Sequence, residues 1–179
     1  MIRVSEIMTT APESFKTELQ KKVYETLSLL KIPYERVESD EVITMEDCAA
    51  VNEKLDMNMV KTLFLSNRRQ TECYLFITEG EKPFSSKNFS TALGISRVSF
   101  APKELMEEKL QTVIGAATVF SALLPSAKDV TVVFDNDVLK NEYYGCSDGT
   151  TTGYMKIKTE KITGDFLKFT GRKLTVVEV

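Results

Sequence analysis

The 179-residue chain contains no histidine and no tryptophan. Without histidine, no side chain changes charge near neutrality at its ordinary pKa, so the commonest protein general base is missing. Mixed Cys/His zinc sites are excluded with it. Cysteine is scarce: Cys48, Cys73 and Cys146 are odd in number and far apart, which argues against a disulfide framework and against zinc-ligand spacing. They read as small buried apolar residues, with one reactive thiol left open. No apolar run approaches the roughly 20 residues that span a bilayer, and Met1–Glu6 lacks the charged head and apolar stretch of a signal peptide. The expectation is a cytoplasmic protein without a membrane segment. Positive charge is not in excess either, since the net charge is −3. A dedicated nucleic-acid binder is usually basic, but a local patch can act inside an acidic protein, through weak and salt-sensitive contacts.

What is present describes one ordinary globular domain: 42% hydrophobic and 27% charged residues, five prolines, eight glycines, no internal repeat and no linker rich in Pro, Gly or Ser. Residues 1–12 lack periodicity and read as an N-terminal tail or capping segment, leaving 13–179 as the domain. From Glu13, the positions Phe15, Leu19, Val23, Leu27 and Leu30 predict an amphipathic helix that Pro33 ends, followed by a short strand from Tyr34 to Val37. Thr44 with Glu46 and Asp47 predicts an N-cap and a second helix. Lys61 to Ser66 and Cys73 to Thr78 read as strands joined by the polar Asn67-Arg68-Arg69-Gln70 connection. Ser86 to Leu93 reads as a helix stopped by Gly94, Arg97 to Phe100 as a strand, and Pro102 to Leu110 as a helix. Val130 to Asp135 is the strongest strand, rich in β-branched residues. Thr151 to Ile157 is another strand, Thr159 to Phe169 a helix and Leu174 to Val177 a terminal strand. Strands and short helices alternate without a regular βαβ repeat or a glycine-rich phosphate loop. The fold class is α+β, a single compact domain with a mixed, largely antiparallel sheet.

Several residues are candidates for chemistry, each with a plainer alternative. Lys61, heading an apolar strand, is either a point charge for a carbonyl or phosphate or a solvated lysine that discourages strand pairing. The segment Gly115-Ala116-Ala117 either offers backbone N–H groups to an oxyanion or packs small residues tightly. Ser147 to Gly153 is a polar, glycine-bounded turn whose Ser147 and Thr152 hydroxyls can bind a polar group or orient water. Those hydroxyls do not ionise near neutrality, so neither replaces a histidine base, and a Ser147 nucleophile needs an activator for which Lys61 is the sole candidate. Asp135 and Asp137 lack the remaining spacing of a calcium loop and read as a helix N-cap. No metal or cofactor is expected. Arg68, Arg69 and Lys87 either touch phosphates or are simply solvated.

The segments Val60-Lys61-Thr62-Leu63-Phe64-Leu65, Leu93-Gly94-Ile95-Ser96-Arg97-Val98-Ser99-Phe100-Ala101, Ile114-Gly115-Ala116-Ala117-Thr118-Val119-Phe120, Val130-Thr131-Val132-Val133-Phe134-Asp135 and Gly171-Arg172-Lys173-Leu174-Thr175-Val176-Val177-Glu178 stand in this order. Together they resemble the signatures of the YbaK/ProX family, free-standing editing domains related to the insert of bacterial prolyl-tRNA synthetase. The resemblance runs from about Leu19 to Val179. It departs from the family where function lies. Thr62 replaces asparagine, Ile114 and Val119 replace two prolines, Ser147-Asp148 stands for His-Pro, Thr151-Thr152 for Asn-Thr, and Ser39 and Arg172 replace histidines.

The resemblance implies an aminoacyl-tRNA deacylase acting in trans on a mischarged tRNA of the tRNA(Pro) group that carries a small amino acid such as Ala, Ser or Thr. It assigns Lys61 to catalysis, with Thr62, Gly115, Ala116, Ala117, Thr118, Ser147 and Thr152 binding substrate and the ribose hydroxyl of the tRNA helping to activate water. The implied partners are the acceptor end of the mischarged tRNA and prolyl-tRNA synthetase or another synthetase. The alternative on the same fold is a catalytically inactive module that binds a ligand or tRNA.

Overall fold

The computed structural model describes residues 2–179. Eight strands form two sheets. The larger has the order β4 (Val98–Phe100), β2 (Val60–Asn67), β3 (Cys73–Glu79), β5 (Val130–Asp135), β8 (Val176–Val177). In it β4, β2 and β3 pair antiparallel, whereas β3–β5 and β5–β8 are parallel. The smaller sheet, β1 (Glu35–Glu38), β7 (Gly153–Lys158) and β6 (Tyr143–Ser147), is antiparallel throughout. The α+β domain is therefore mixed and largely antiparallel, with its strands divided between two sheets. A parallel bridge from Met59 to Gly145 joins the sheets where β2 begins.

Both sheets bury both faces, which is why β3 is an almost continuous apolar run rather than an alternating one. The main core lies between the sheets: Phe64, Leu75, Ile77 and Phe134 from one and Tyr144, Met155 and Ile157 from the other pack with Leu19, Val23 and Leu27 of helix α1 (Glu18–Leu29). Full burial of a side chain such as Phe134 is worth about 1.5–3 kcal/mol. A second cluster closes α3 (Ser86–Leu93) over Leu65, Phe76 and Val133. A third places α2 (Cys48–Leu55) over Val37 and Tyr154.

Helix α1 starts at Glu18 rather than Glu13, because the Thr17 side chain accepts from Gln20 N and fixes the N-cap there. Phe15 lies ahead of the helix and stacks on Tyr24. Thr44 and Asp47 do form a reciprocal capping pair, Asp47 N–H to Thr44 Oγ1 at 3.2 Å and Thr44 N–H to Asp47 Oδ2 at 3.1 Å. The α-helix proper begins only at Cys48. Helix α4 (Lys103–Leu110) follows Pro102 as expected. Asp135 caps the short helix α5 (Asn136–Leu139), its carboxylate accepting from Asp137 N–H. The expected helix over 159–169 is present, wound as a π-helix through Lys161–Phe166 before α6 (Leu167–Phe169). The N-terminal segment caps rather than dangles: Ser5 N–H reaches Glu38 O, and Met8 and Arg36 exchange both backbone bonds, covering the β1 edge. Among the described residues, no helix is long and apolar enough to cross a membrane.

Candidate active site

Where β2 begins, the two sheets and two loops enclose a cleft of about 130 Å³. Strand alternation turns Thr62 with Phe64 toward the inter-sheet side and Lys61 with Leu63 and Leu65 toward the α3 side. Thr62, Cys146 and Met59 line the cleft from the strands, Thr44 and Met45 from the segment before α2, and Gly115 and Ala117 from the loop opposite. Lys61, Ser147 and Tyr154 also border it. Five of the eight residues expected at the site, Lys61, Thr62, Gly115, Ala117 and Ser147, thus meet at one cleft.

The loop of Gly115 carries backbone N–H groups that the fold leaves unengaged. Gly115 sits at φ +91°, a conformation that disfavours any side chain. A Cβ there would lie 3.7 Å from Val42 O and 3.9 Å from Thr151 Cγ2, so the loop crosses close to both opposing segments. Ala116 N–H donates to Val113 O at 3.0 Å. Among the described residues, the N–H groups of Gly115 and Ala117 have no acceptor, and both residues line the cleft. Ala116 itself is fully buried and does not line the cleft.

The other expected residues hold the walls. Buried Thr118 donates from Oγ1 to Ser147 O at 2.9 Å, tying the glycine loop to the end of β6. Ser147 Oγ donates to Thr150 O at 2.7 Å and accepts from Gly149 N–H at 3.0 Å. Its proton is committed to the turn, and Lys61 makes no hydrogen bond to it, so nothing activates it as a nucleophile. The Thr152 hydroxyl accepts from Lys16 Nζ at 2.5 Å and does not line the cleft. The turn is anchored by Asp148, which is 1% exposed. Its carboxylate accepts from Gln20 Nε2 and Tyr24 Oη, both at 2.9 Å, and from the N–H and hydroxyl of Thr150 at 3.1 and 2.7 Å. Ser39 and Arg172 lie outside the cleft lining as well. Arg172 donates to the carbonyls of Ala122 and Ala127 and clamps the turns after the glycine loop.

Lys61 is held at the rim. Its Nζ donates to the Lys82 carbonyl. The Lys82 loop is itself fixed, because Lys82 Nζ pairs with Asp135 and Asp137, both at 2.8 Å, and buried Asp135 also accepts from Thr78 Oγ1 at 2.7 Å. Burial lowers the Lys61 pKa below its ordinary value. The remaining titratable groups of the cleft move the opposite way: burial raises the Cys48 and Cys146 thiols and the Tyr154 hydroxyl. All three are therefore protonated at neutral pH, and no carboxylate lines the cleft. Beneath it, Tyr144 Oη is enclosed without a hydrogen-bond partner; the Thr62 hydroxyl faces it without reaching bonding geometry. Among the described residues, no group of three or more His, Cys, Asp or Glu is placed to hold a metal ion.

Cys146, Met59, Thr44 and Tyr154 were not expected here. The Thr44–Asp47 capping pair was legible as a fixed turn, but nothing local said that this turn would form a cleft wall. Arg68, Arg69 and Lys87 stand elsewhere on the surface.

The family described as aminoacyl-tRNA editing domain matches residues 39–163, which is most of the chain and includes every cleft residue. The protein named prolyl-tRNA editing protein ProX of Acetoanaerobium sticklandii is 28% identical over 123 residues, covering 68% of this chain and 74% of that protein. Prolyl-tRNA synthetase associated domain-containing protein 1 of Danio rerio is 27% identical over 154 residues, covering 85% and 81%. A solved structure of a hypothetical protein superposes with a TM-score of 0.68 at 17% identity, over 87% of this chain and 98% of that one. Another, described as a candidate trans-editing enzyme for prolyl tRNA synthetase, gives 0.65 at 16% identity, over 92% and 99%. At those identities the structures show a shared fold.

Proposed function

The chain belongs to the aminoacyl-tRNA editing domain family, and from that premise we propose that it hydrolyses the ester of a mischarged aminoacyl-tRNA in trans. The substrate in this reading is a tRNA of the tRNA(Pro) group bearing Ala, Ser or Thr. The observation that carries it is the pair of unengaged N–H groups, on Gly115 and Ala117, in a cleft with no side-chain general base. Such donors stabilise the negative charge that develops on an ester carbonyl oxygen under attack. The cleft, at about 130 Å³, is small beside ordinary ligand pockets of about 300–1,000 Å³, a scale suited to a small side chain and one attacking water. Thr62 and Thr44 offer it hydroxyls.

In this reaction water adds to the ester carbonyl, the oxyanion forms against the Gly115 and Ala117 N–H groups, and the C–O bond to the ribose breaks. The water's protons pass by way of the neighbouring ribose hydroxyl to the leaving oxygen and to solvent. The products are a free amino acid and a tRNA with its terminal hydroxyl restored. Lys61 positions the acceptor end as a point charge, exchanging the Lys82 carbonyl for substrate. Ala116, Thr118, Ser147 and Thr152 act by shaping the loops. Prolyl-tRNA synthetase or another synthetase is the natural source of the mischarged tRNA and the partner this reading names.

One observation favours a second reading, an inactive module that binds the acceptor end: every cleft thiol and phenol is held protonated, and no imidazole or carboxylate is present. A deacylation panel of mischarged tRNAs, run with wild type and Lys61→Ala, separates the two. Faster-than-background release on at least one tRNA, reduced in Lys61→Ala, supports editing. Background rates throughout would leave only the binding module.

A further inference from the structure

We propose that the groove at the far end of β2 binds RNA phosphates, as a second contact surface about 20 Å from the cleft. The distance follows from six residues, Thr62 to Arg68, at about 3.3 Å each. The groove encloses about 510 Å³ and is lined by Asn67, Arg68, Gln70, Arg97 and Phe100 among others. The proposal rests on the editing reading for the identity of the RNA, which is the tRNA whose ester enters the cleft.

The arginines divide cleanly. Arg3 and Arg36 pair with Asp40 and Glu38, and Arg172 is spent on two carbonyls. Arg68, Arg69 and Arg97 are exposed, have no carboxylate or carbonyl partner among the described residues, and stand together at this end of the sheet. No Asp or Glu lines the groove, although the whole chain is acidic. The other surface clefts of comparable kind are mixed or acidic: one sets Lys140 and Lys158 against Glu142 and Glu160, and another carries Asp135, Asp137 and Glu178.

The groove is also built to hold its charges in place. Asn67 Oδ1 accepts the N–H groups of Thr71 and Glu72 at 2.9 and 3.0 Å, stiffening the turn that carries Arg68 and Arg69. Phe100 is 62% exposed on the edge strand β4, its ring braced at 5.5 Å by Phe84. A fixed aromatic face beside guanidinium groups is the pairing that single-stranded nucleic acid uses, bases stacking while phosphates meet cations. At a rise of about 3.4 Å per nucleotide, 20 Å corresponds to roughly six stacked nucleotides. With the terminal adenosine in the cleft, the groove therefore meets the backbone about six nucleotides upstream.

The test uses the whole chain and two probes, uncharged tRNA and the aminoacyl ester of adenosine, which lacks the upstream phosphates. For Arg68→Gln/Arg97→Gln, tRNA affinity by fluorescence anisotropy should fall at least about tenfold. The slope of log affinity against log salt should become shallower by about 1.4–1.8, two phosphates at about 0.7–0.9 each. Arg68→Lys/Arg97→Lys, which keeps both charges, should retain the wild-type slope. Hydrolysis of the adenosine ester should be unchanged in the Gln variant. Wild-type affinity and slope in that variant, at an unchanged melting midpoint, would overturn the groove. Failure of wild type to hydrolyse any ester overturns the editing reading alone, because binding of uncharged tRNA is read independently.

Discussion

Replacing Asp148 tests how the cleft wall is held. The carboxylate is buried and accepts four hydrogen bonds at 2.7–3.1 Å from three residues on two elements. No cation bonds it; the Arg36 guanidinium is nearby only as a partner of the Tyr24 ring, 5.8 Å from its centroid. A hydrogen bond to a charged group contributes about 1.5–3 kcal/mol, and a donor left buried without an acceptor costs about 1–3 kcal/mol. Asp148→Ala strands Gln20 Nε2, Tyr24 Oη and the N–H and hydroxyl of Thr150, all of them in buried residues. Removing an uncompensated buried charge offsets part of the loss. The expected net cost is about 3 kcal/mol, large for a single substitution. In urea titration the midpoint should fall with an unchanged m-value. In a thermal melt the same loss should lower Tm by about 6–12 °C for a chain of this size. Tyr24→Phe should cost less alone, and the cycle with Asp148→Ala should show a coupling of at least about 1 kcal/mol. A loss below about 1 kcal/mol, or no coupling to Tyr24, would refute the reasoning.

Two glycines of the same region should respond differently to Ala. At Gly153 the new Cβ would stand 2.1 Å from Asp148 Oδ2, a held carboxylate, so urea midpoints should report at least about 3 kcal/mol lost. At Gly145 the neighbour is the flexible thioether of Met57 at 2.6 Å, and a cost nearer 1 kcal/mol is expected. Asp137 is held down to about 2, first by the Lys140 hydrogen bond and then by Lys82. Its folded pKa lies below the ordinary value of 3.8, so the stability it contributes is full above about pH 4 and is lost as pH falls toward 2. The urea midpoint of Asp137→Asn should accordingly change less than that of wild type between pH 5 and 2. For catalysis on a tRNA ester whose acyl group carries a hydroxyl in place of the α-amino group, the log of kcat/KM should show no inflection between about pH 5.5 and 8 from an imidazole or a carboxylate, because no imidazole exists and no carboxylate lines the cleft. A sigmoidal step in that window that Lys61→Ala leaves in place would require a base the cleft does not contain.

Most elements were legible because their signals are local. The β-branched run Val130–Asp135, the apolar periodicity of α1 and Gly94 in a left-handed C-cap each act within a few residues, whereas the Thr17 cap that sets the start of α1 was missed. Strand β6 was not legible. Tyr143-Tyr144-Gly145-Cys146-Ser147 has a glycine at its centre, and that glycine is there because Met57 packs on it from another element. The 3₁₀ turn Val119–Leu123, capped by Thr118, was missed because Ala-Ala-Thr-Val has no strong propensity. At the site, sequence resemblance named eight residues, of which Lys61, Thr62, Gly115, Ala117 and Ser147 line one cleft and Ala116, Thr118 and Thr152 do not. It did not reveal that strand alternation turns Lys61 and Thr62 apart, or that Ser147 spends its proton on Thr150. Those facts depend on where the Lys82 loop and the 147–152 turn come to rest, which long-range contacts decide.

The most direct measurement of the central claim, that backbone N–H groups rather than a side-chain base carry the chemistry, is a single-turnover comparison on mischarged tRNA. Wild type, Ala117→Ser and Ala117→Pro are assayed side by side, with urea midpoints confirming that each is folded. Proline deletes the N–H, and serine keeps it. The account predicts release above background for wild type, Ala117→Ser within a few-fold of it, and Ala117→Pro slower by about 10²–10³. A wild type no faster than the no-enzyme control, or a folded Ala117→Pro as fast as wild type, would contradict it.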